Sequence, residues 1–127
     1  MKKLFLLLLI LATNFIQAQE PVKPKHDKSI KEKYEYKVKV IGDTQYLIDS
    51  TLKVLNEMNF KANKQTKKML KKAMKELKKA KKYKKKQLKY AQEKKWEQAH
   101  YWAEKHWQKQ IIALDLMLQA KNILKKA

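Results

Sequence analysis

The sequence predicts an all-α protein: a helical hairpin plus a shorter third helix in a small helical bundle, preceded by a short extended or β segment. Three observations carry that expectation. From Asp43 to Ala127 neither glycine nor proline interrupts the chain, so nothing in the backbone forbids long helices. Apolar residues recur through that stretch at the helical period of about 3.6 residues. After Ala91 the apolar stripe jumps by about 100°, far more than the drift of about 20° per heptad that supercoiling accounts for, so the chain must turn there.

The elements follow in order. Met1-Lys2-Lys3, the apolar run Leu4 to Ala12 and the segment Thr13 to Ala18 have the layout of a secretory signal peptide over residues 1–18, cleaved after Ala18. Leu4 to Ile16 is only 13 residues, short of the roughly 20 that cross a bilayer. The mature chain is therefore expected to be exported, periplasmic or secreted, without a transmembrane helix. Residues 19–32 hold both prolines, Pro21 and Pro24, with scattered charge and few apolar residues, and read as a disordered leader. Residues 33–42 open with Lys33-Tyr34-Glu35-Tyr36-Lys37-Val38-Lys39-Val40, a strict polar/apolar alternation that reads as an extended or strand segment. Such a strand would pair with its own copy in a homodimer or add to a protein partner's sheet. Gly42 ends it, and Asp43 is suited to cap a helix starting at Thr44.

Residues 43–127 form the expected helical domain. Leu47, Ile48, Leu52, Val54, Leu55 and Met58 make one stripe, which continues in phase through Ala62, Met69, Leu70, Ala73, Met74, Leu77, Ala80, Leu88 and Ala91. Asn59, Asn63, Gln65 and Thr66 weaken it and Phe60 points off it, predicting a kink or break around Asn59 to Asn63. Trp96, Ala99, Trp102, Ala103, Trp107, Leu114, Met117 and Leu118 form the second stripe. The hairpin thus sets Lys64 to Ala91 against Trp96 to Lys125, with a turn at Gln92 to Lys95 and the Thr44 to Phe60 helix as a third layer. Lys81 and Lys84 interrupt the first stripe, so that end of the hairpin is expected to be splayed or wet.

Charge gives the strongest functional signal. The chain has 32 basic residues, all lysine, against 12 acids, a formal net charge of +20. Fifteen of the lysines lie between Lys61 and Lys89, opposed there only by Glu76. On a helical wheel Lys64, Lys67, Lys68, Lys71, Lys72, Lys75, Lys78, Lys79, Lys82, Lys85, Lys86 and Lys89 all point away from the apolar stripe, along about 40 Å of helix. Like charges three or four residues apart cost about 0.2–0.5 kcal/mol per pair, and their spacing is inside the Debye length of about 8 Å at physiological salt. An anionic polymer or an anionic membrane surface would relieve that repulsion; the ordinary alternative is a solvated face whose lysine stems cover apolar surface. Arginine, the residue of bidentate base and phosphate recognition, is absent, which argues against sequence-specific nucleic-acid recognition.

The remaining constellations point away from catalysis. No cysteine is available for a disulfide, a lipid anchor or a thiol nucleophile, and one glycine cannot build a glycine-rich phosphate loop. Ser29 and Ser50 have no histidine–acid partners nearby in sequence. Trp96, Tyr101, Trp102 and Trp107 form an aromatic cluster. Core packing explains Trp102 and Trp107, while Tyr101 falls outside the stripe and is placed for stacking. Glu93, Glu97, His100 and Glu104 share a face with a Glu-x-x-His spacing, but no second pair completes a metal site, and pairing with lysines across the hairpin explains them. No enzyme activity, cofactor or metal is expected. The sequence favours an exported binding protein that meets polyanions through the lysine face. Its alternative is a small periplasmic chaperone- or stress-adaptor-like protein holding unfolded clients or a protein partner on exposed Met69, Met74 and nearby leucines.

Overall fold

The computed structural model describes residues 29–126, and these form three long helices: α1 (Ser29–Glu57), α2 (Lys64–Gln92) and α3 (Trp96–Lys126). A single 3-10 turn, Phe60–Ala62, joins the first two. Each helix buries rows of residues spaced seven apart. In α1 these are Tyr34, Ile41, Ile48 and Leu55, with Lys37, Thr44 and Thr51 as the second buried row. In α2 they are Thr66, Ala73, Ala80 and Gln87, and in α3 Ala99, His106, Ala113 and Ala120, beside Ala103, Gln110 and Met117. Such a seven-residue repeat is the packing period of coiled coils and helix bundles.

The helical bundle agrees with the sequence reading; the extended segment does not. Residues 33–42 are helical, Ser29 to Glu32 of the expected leader already belong to α1, and the third helix is as long as the hairpin arms. No strand occurs among the described residues, so the strand-mediated homodimer or partner contact through Lys33 to Val40 loses its basis. The alternation of Tyr34, Tyr36, Val38 and Val40 coincides over eight residues with the start of the heptad Tyr34–Ile41–Ile48–Leu55. Burial of that longer row against α3 decides the conformation, since propensity is only a weak prior. Gly42 terminates nothing, and Asp43 caps nothing. Thr44, expected as the first helical residue, lies mid-helix and donates its hydroxyl to Val40 O at 2.8 Å, the usual back-bond of a helical threonine.

Gly42 has a measurable consequence. It sits inside α1 with nothing within 4 Å of an added Cβ. A mid-helix glycine costs about 0.5–1 kcal/mol relative to alanine, so Gly42→Ala is expected to stabilise the fold by that amount. A urea midpoint unchanged or lowered in the variant would contradict it.

The break near Asn59 to Asn63 has an explicit local cause. Asn59 adopts the left-handed conformation (φ 57°, ψ 55°), which asparagine tolerates better than most residues. Asn63 then caps α2 by accepting from Thr66 N at 3.0 Å, while the Thr66 hydroxyl donates to Phe60 O at 2.8 Å. The 3-10 turn swings Phe60 inward, so the residue expected off the stripe is buried. At the other end Lys94 takes a positive φ of 59°. Lys94 N–H donates to Ala91 O and Lys95 N–H to Tyr90 O, the two bonds of a Schellman helix stop.

Helix α3 is the hub. It packs against both α1 and α2, whereas no Cα of α1 comes within 8 Å of one in α2. Two apolar cores result. Ile48, Leu55, Phe60, Leu70, Leu114 and Met117 anchor the larger one beside the 3-10 turn; Tyr34, Ile41, Ala99 and Ala103, flanked by Trp96 and Trp107, form the smaller one at the far end. Between them lies a buried polar layer of Gln87, His106 and Gln110.

Candidate functional site

All twelve lysines singled out on the outward face of α2, from Lys64 to Lys89, are exposed. Lys79 meets Glu76 at 3.4 Å and Lys86 lies over the Trp102 ring at 4.3 Å; the rest have no partner among the described residues. The expected pairing of α3 acids with α2 lysines does not occur among the described residues. Glu104 turns to α1, where it pairs with Lys37 at 2.6 Å, and Glu93 pairs locally with Lys95. The one acid of α2, Glu76, is drawn toward Lys109 of α3 at 3.2 Å. Burial would raise the Glu76 carboxyl, but the Lys109 and Lys79 ammonium groups outweigh it and hold its pKa below the usual value. The lysine face is therefore answered internally even less than the sequence implies.

The tryptophans are half-buried rather than central; alanines occupy the innermost positions of α3. Trp96 packs on Tyr34 with ring centroids 5.7 Å apart, and Trp107 donates its indole N–H to the Thr44 hydroxyl at 3.1 Å. Trp102 meets Tyr83 and Tyr101, so Tyr101, although 52% exposed, already leans on a ring edge. Met69 is half-buried against the larger core, whereas Met74 and Leu88 are exposed. Burial lowers the pKa of His100, with Glu104 opposing and Lys37 and Lys33 assisting. No cluster of three or more His, Asp or Glu side chains placed to hold a metal occurs among the described residues, nor is any described helix long and apolar enough to cross a membrane.

Sequence reasoning missed a groove. Where α1 and α2 diverge, a cleft of about 490 Å³ opens between them with α3 as its floor. Val38 and Ile41 of α1 and Leu77, Ala80 and Leu88 of α2 form apolar walls, and Lys81 and Lys84 stand at its α2 rim. The floor is the polar layer. His106 Nδ1 lies 2.9 Å from Gln87 Oε1, and Gln87 Nε2 donates to Tyr34 Oη at 3.4 Å. Since an amide oxygen only accepts, the imidazole carries its proton on Nδ1. Gln110 Nε2 donates to Gln45 Oε1 at 3.0 Å and reaches Ile41 O at 3.4 Å. Burial, reinforced by the Lys84 charge, lowers the His106 pKa to about 4, so the floor is uncharged at neutral pH. The trace of this cleft in the sequence is the pair Lys81 and Lys84 interrupting the apolar stripe. The hairpin itself is not splayed there, since Ala80 and Gln87 are buried and Gln87 meets His106 of α3. The two lysines stand instead at the cleft between α1 and α2.

No protein-family model, no curated protein and no solved structure matches this chain.

Proposed function

We propose that this chain is an exported, non-enzymatic helical binding protein that meets polyanions, such as envelope glycans, anionic lipid surfaces or nucleic acid, through the lysine face of α2. One observation carries the reading: an outward row of exposed lysines runs the length of α2, and the only acid of that helix faces inward to Lys109. A helix so charged repels itself along about 40 Å, and a polyanion relieves the repulsion while releasing its counterions. Lysines without arginine act as point charges, so binding is salt-sensitive and tolerant of ligand sequence.

The test is titration with heparin and with lipopolysaccharide at 50 and 200 mM salt. Neutralising three to four anionic groups predicts that affinity falls about 40- to 150-fold across that range. Replacing Lys71, Lys75, Lys78 and Lys82 together by glutamine is expected to flatten the salt dependence while leaving helicity intact. Affinity that is flat with salt, or unaffected by the fourfold replacement, would refute the reading. A second reading, holding of unfolded clients, draws on exposed Met74 and Leu88 and predicts suppression of client aggregation that persists at high salt.

A further inference from the structure

We propose that the groove between α1 and α2 is a binding site for a single-chain anionic amphiphile, with its tail between the apolar walls and its head group on Lys81 and Lys84. The site does not depend on the lysine row assigned to polyanions, because Lys81 and Lys84 stand apart from that row at the groove rim.

Size selects the occupant. The bridge from Gln87 to Tyr34 spans the two walls near one end, and the α2 wall runs from Leu77 to Leu88, about 17 Å of helix. The cavity of about 490 Å³ falls in the range of small-ligand pockets, about 300–1,000 Å³, and its elongated shape suits an alkyl chain.

Charge selects the head group. Among the residues lining the groove the only ionised groups are Lys81 and Lys84; no acid lines it, and His106 at its floor is neutral. Both lysines are exposed, so their stems can lie along the wall while their ammonium groups hold a carboxylate, sulfate or phosphate at the mouth.

Gly42 supplies an independent sign. The only glycine of the chain lies in the α1 wall of this groove, at a helical position where it weakens the helix and where an added Cβ would meet nothing. A larger residue there would extend into the space the tail occupies. The same substitution that helps the helix therefore fills the site.

The experiment uses the full chain and 11-(dansylamino)undecanoic acid as a fluorescent probe in 500 mM salt, where polyanion binding is screened. Saturable binding of one probe per chain is expected, displaced by dodecanoic acid at least tenfold better than by dodecanol. Gly42→Leu is expected to weaken probe binding tenfold or more while leaving helicity and low-salt heparin affinity unchanged, and Lys81→Gln with Lys84→Gln to abolish the preference for acid over alcohol. Several probes bound per chain, equal binding by Gly42→Leu, or no preference for the acid would overturn the proposal. So would a groove occupied instead by a second copy, seen as a dimer in sedimentation that dodecanoate does not dissociate. Loss of heparin binding with retention of the probe would fail the polyanion reading alone.

Discussion

Replacing Glu104 with alanine is expected to destabilise the fold by about 3 kcal/mol, whereas Lys37→Met leaves stability unchanged or raises it. The asymmetry follows from where the two charges lie. The Lys37 side chain is 4% exposed and its ammonium sits 2.6 Å from Glu104 Oε1 and 4.1 Å above the Trp107 ring; Glu104 is 37% exposed. Glu104 keeps part of its hydration, while Lys37 has exchanged nearly all of its own for one carboxylate and one aromatic face. Removing Glu104 strands a buried cation, which costs about 3–5 kcal/mol in fully buried pairs; access of water at the Glu104 side puts this pair at the low end. The cation–π contact, about 0.5–2 kcal/mol, is present in both states of the comparison and does not compensate. Methionine at position 37 fills a similar volume, removes the charge and leaves a thioether against Trp107. Urea unfolding of the two single variants and the double variant checks this. Glu104→Ala within about 0.5 kcal/mol of the parent would contradict it, and the double variant should track Lys37→Met because no cation is left to strand.

Lys37 also explains why part of the fold was illegible from sequence. Helices α2 and α3 could be read because their inward rows are marked by leucine, methionine and alanine, and because the phase jump after Ala91 demands a turn. In α1 the second inward row is Lys37, Thr44 and Thr51, three residues that a hydrophobic pattern counts as outward. Stripped of that row, the segment kept only its local alternation and one glycine, and both favour a strand with a stop. What makes these residues acceptable inside is tertiary: Glu104 for Lys37, and Trp107 Nε1 for the Thr44 hydroxyl. Partners 60 or more residues away leave no mark in a local window. The lysine row could be read because a solvated face needs only period and charge. The groove could not, since it exists only where α1 and α2 fail to meet across α3, and its floor residues Gln87, His106 and Gln110 look like ordinary outward polar residues until a neighbouring helix covers them.

Stability should fall by up to about 3 kcal/mol as the pH is lowered from 7 to 4, with His106 as the main cause. The imidazole is buried, donates to Gln87 Oε1 and lies near the Lys84 ammonium, and burial followed by that charge brings its pKa from 6.5 to about 4. In the unfolded chain the ring takes a proton below about 6.5; in the folded chain it does so only below about 4. Between those values the unfolded state binds more protons, so stability rises with pH: it is fully present above about 6.5 and is lost progressively toward 4. Glu76 adds a loss of the same sign at lower pH, because its folded pKa is held below the usual 4.5 by Lys109 and Lys79. His100, also lowered by burial, contributes to the upper window. His106→Gln separates these sources. Its amide can still donate to Gln87 Oε1 but does not titrate, so urea midpoints at pH 7, 5.5 and 4 should draw together, leaving the smaller His100 slope and, toward pH 4, the Glu76 loss. A variant with the parent's full loss between pH 6.5 and 4 would remove His106 as the cause. Protonation there would set a second cation against Lys84 in the floor that separates the two cores, so the polar layer is where acid is expected to open the bundle first.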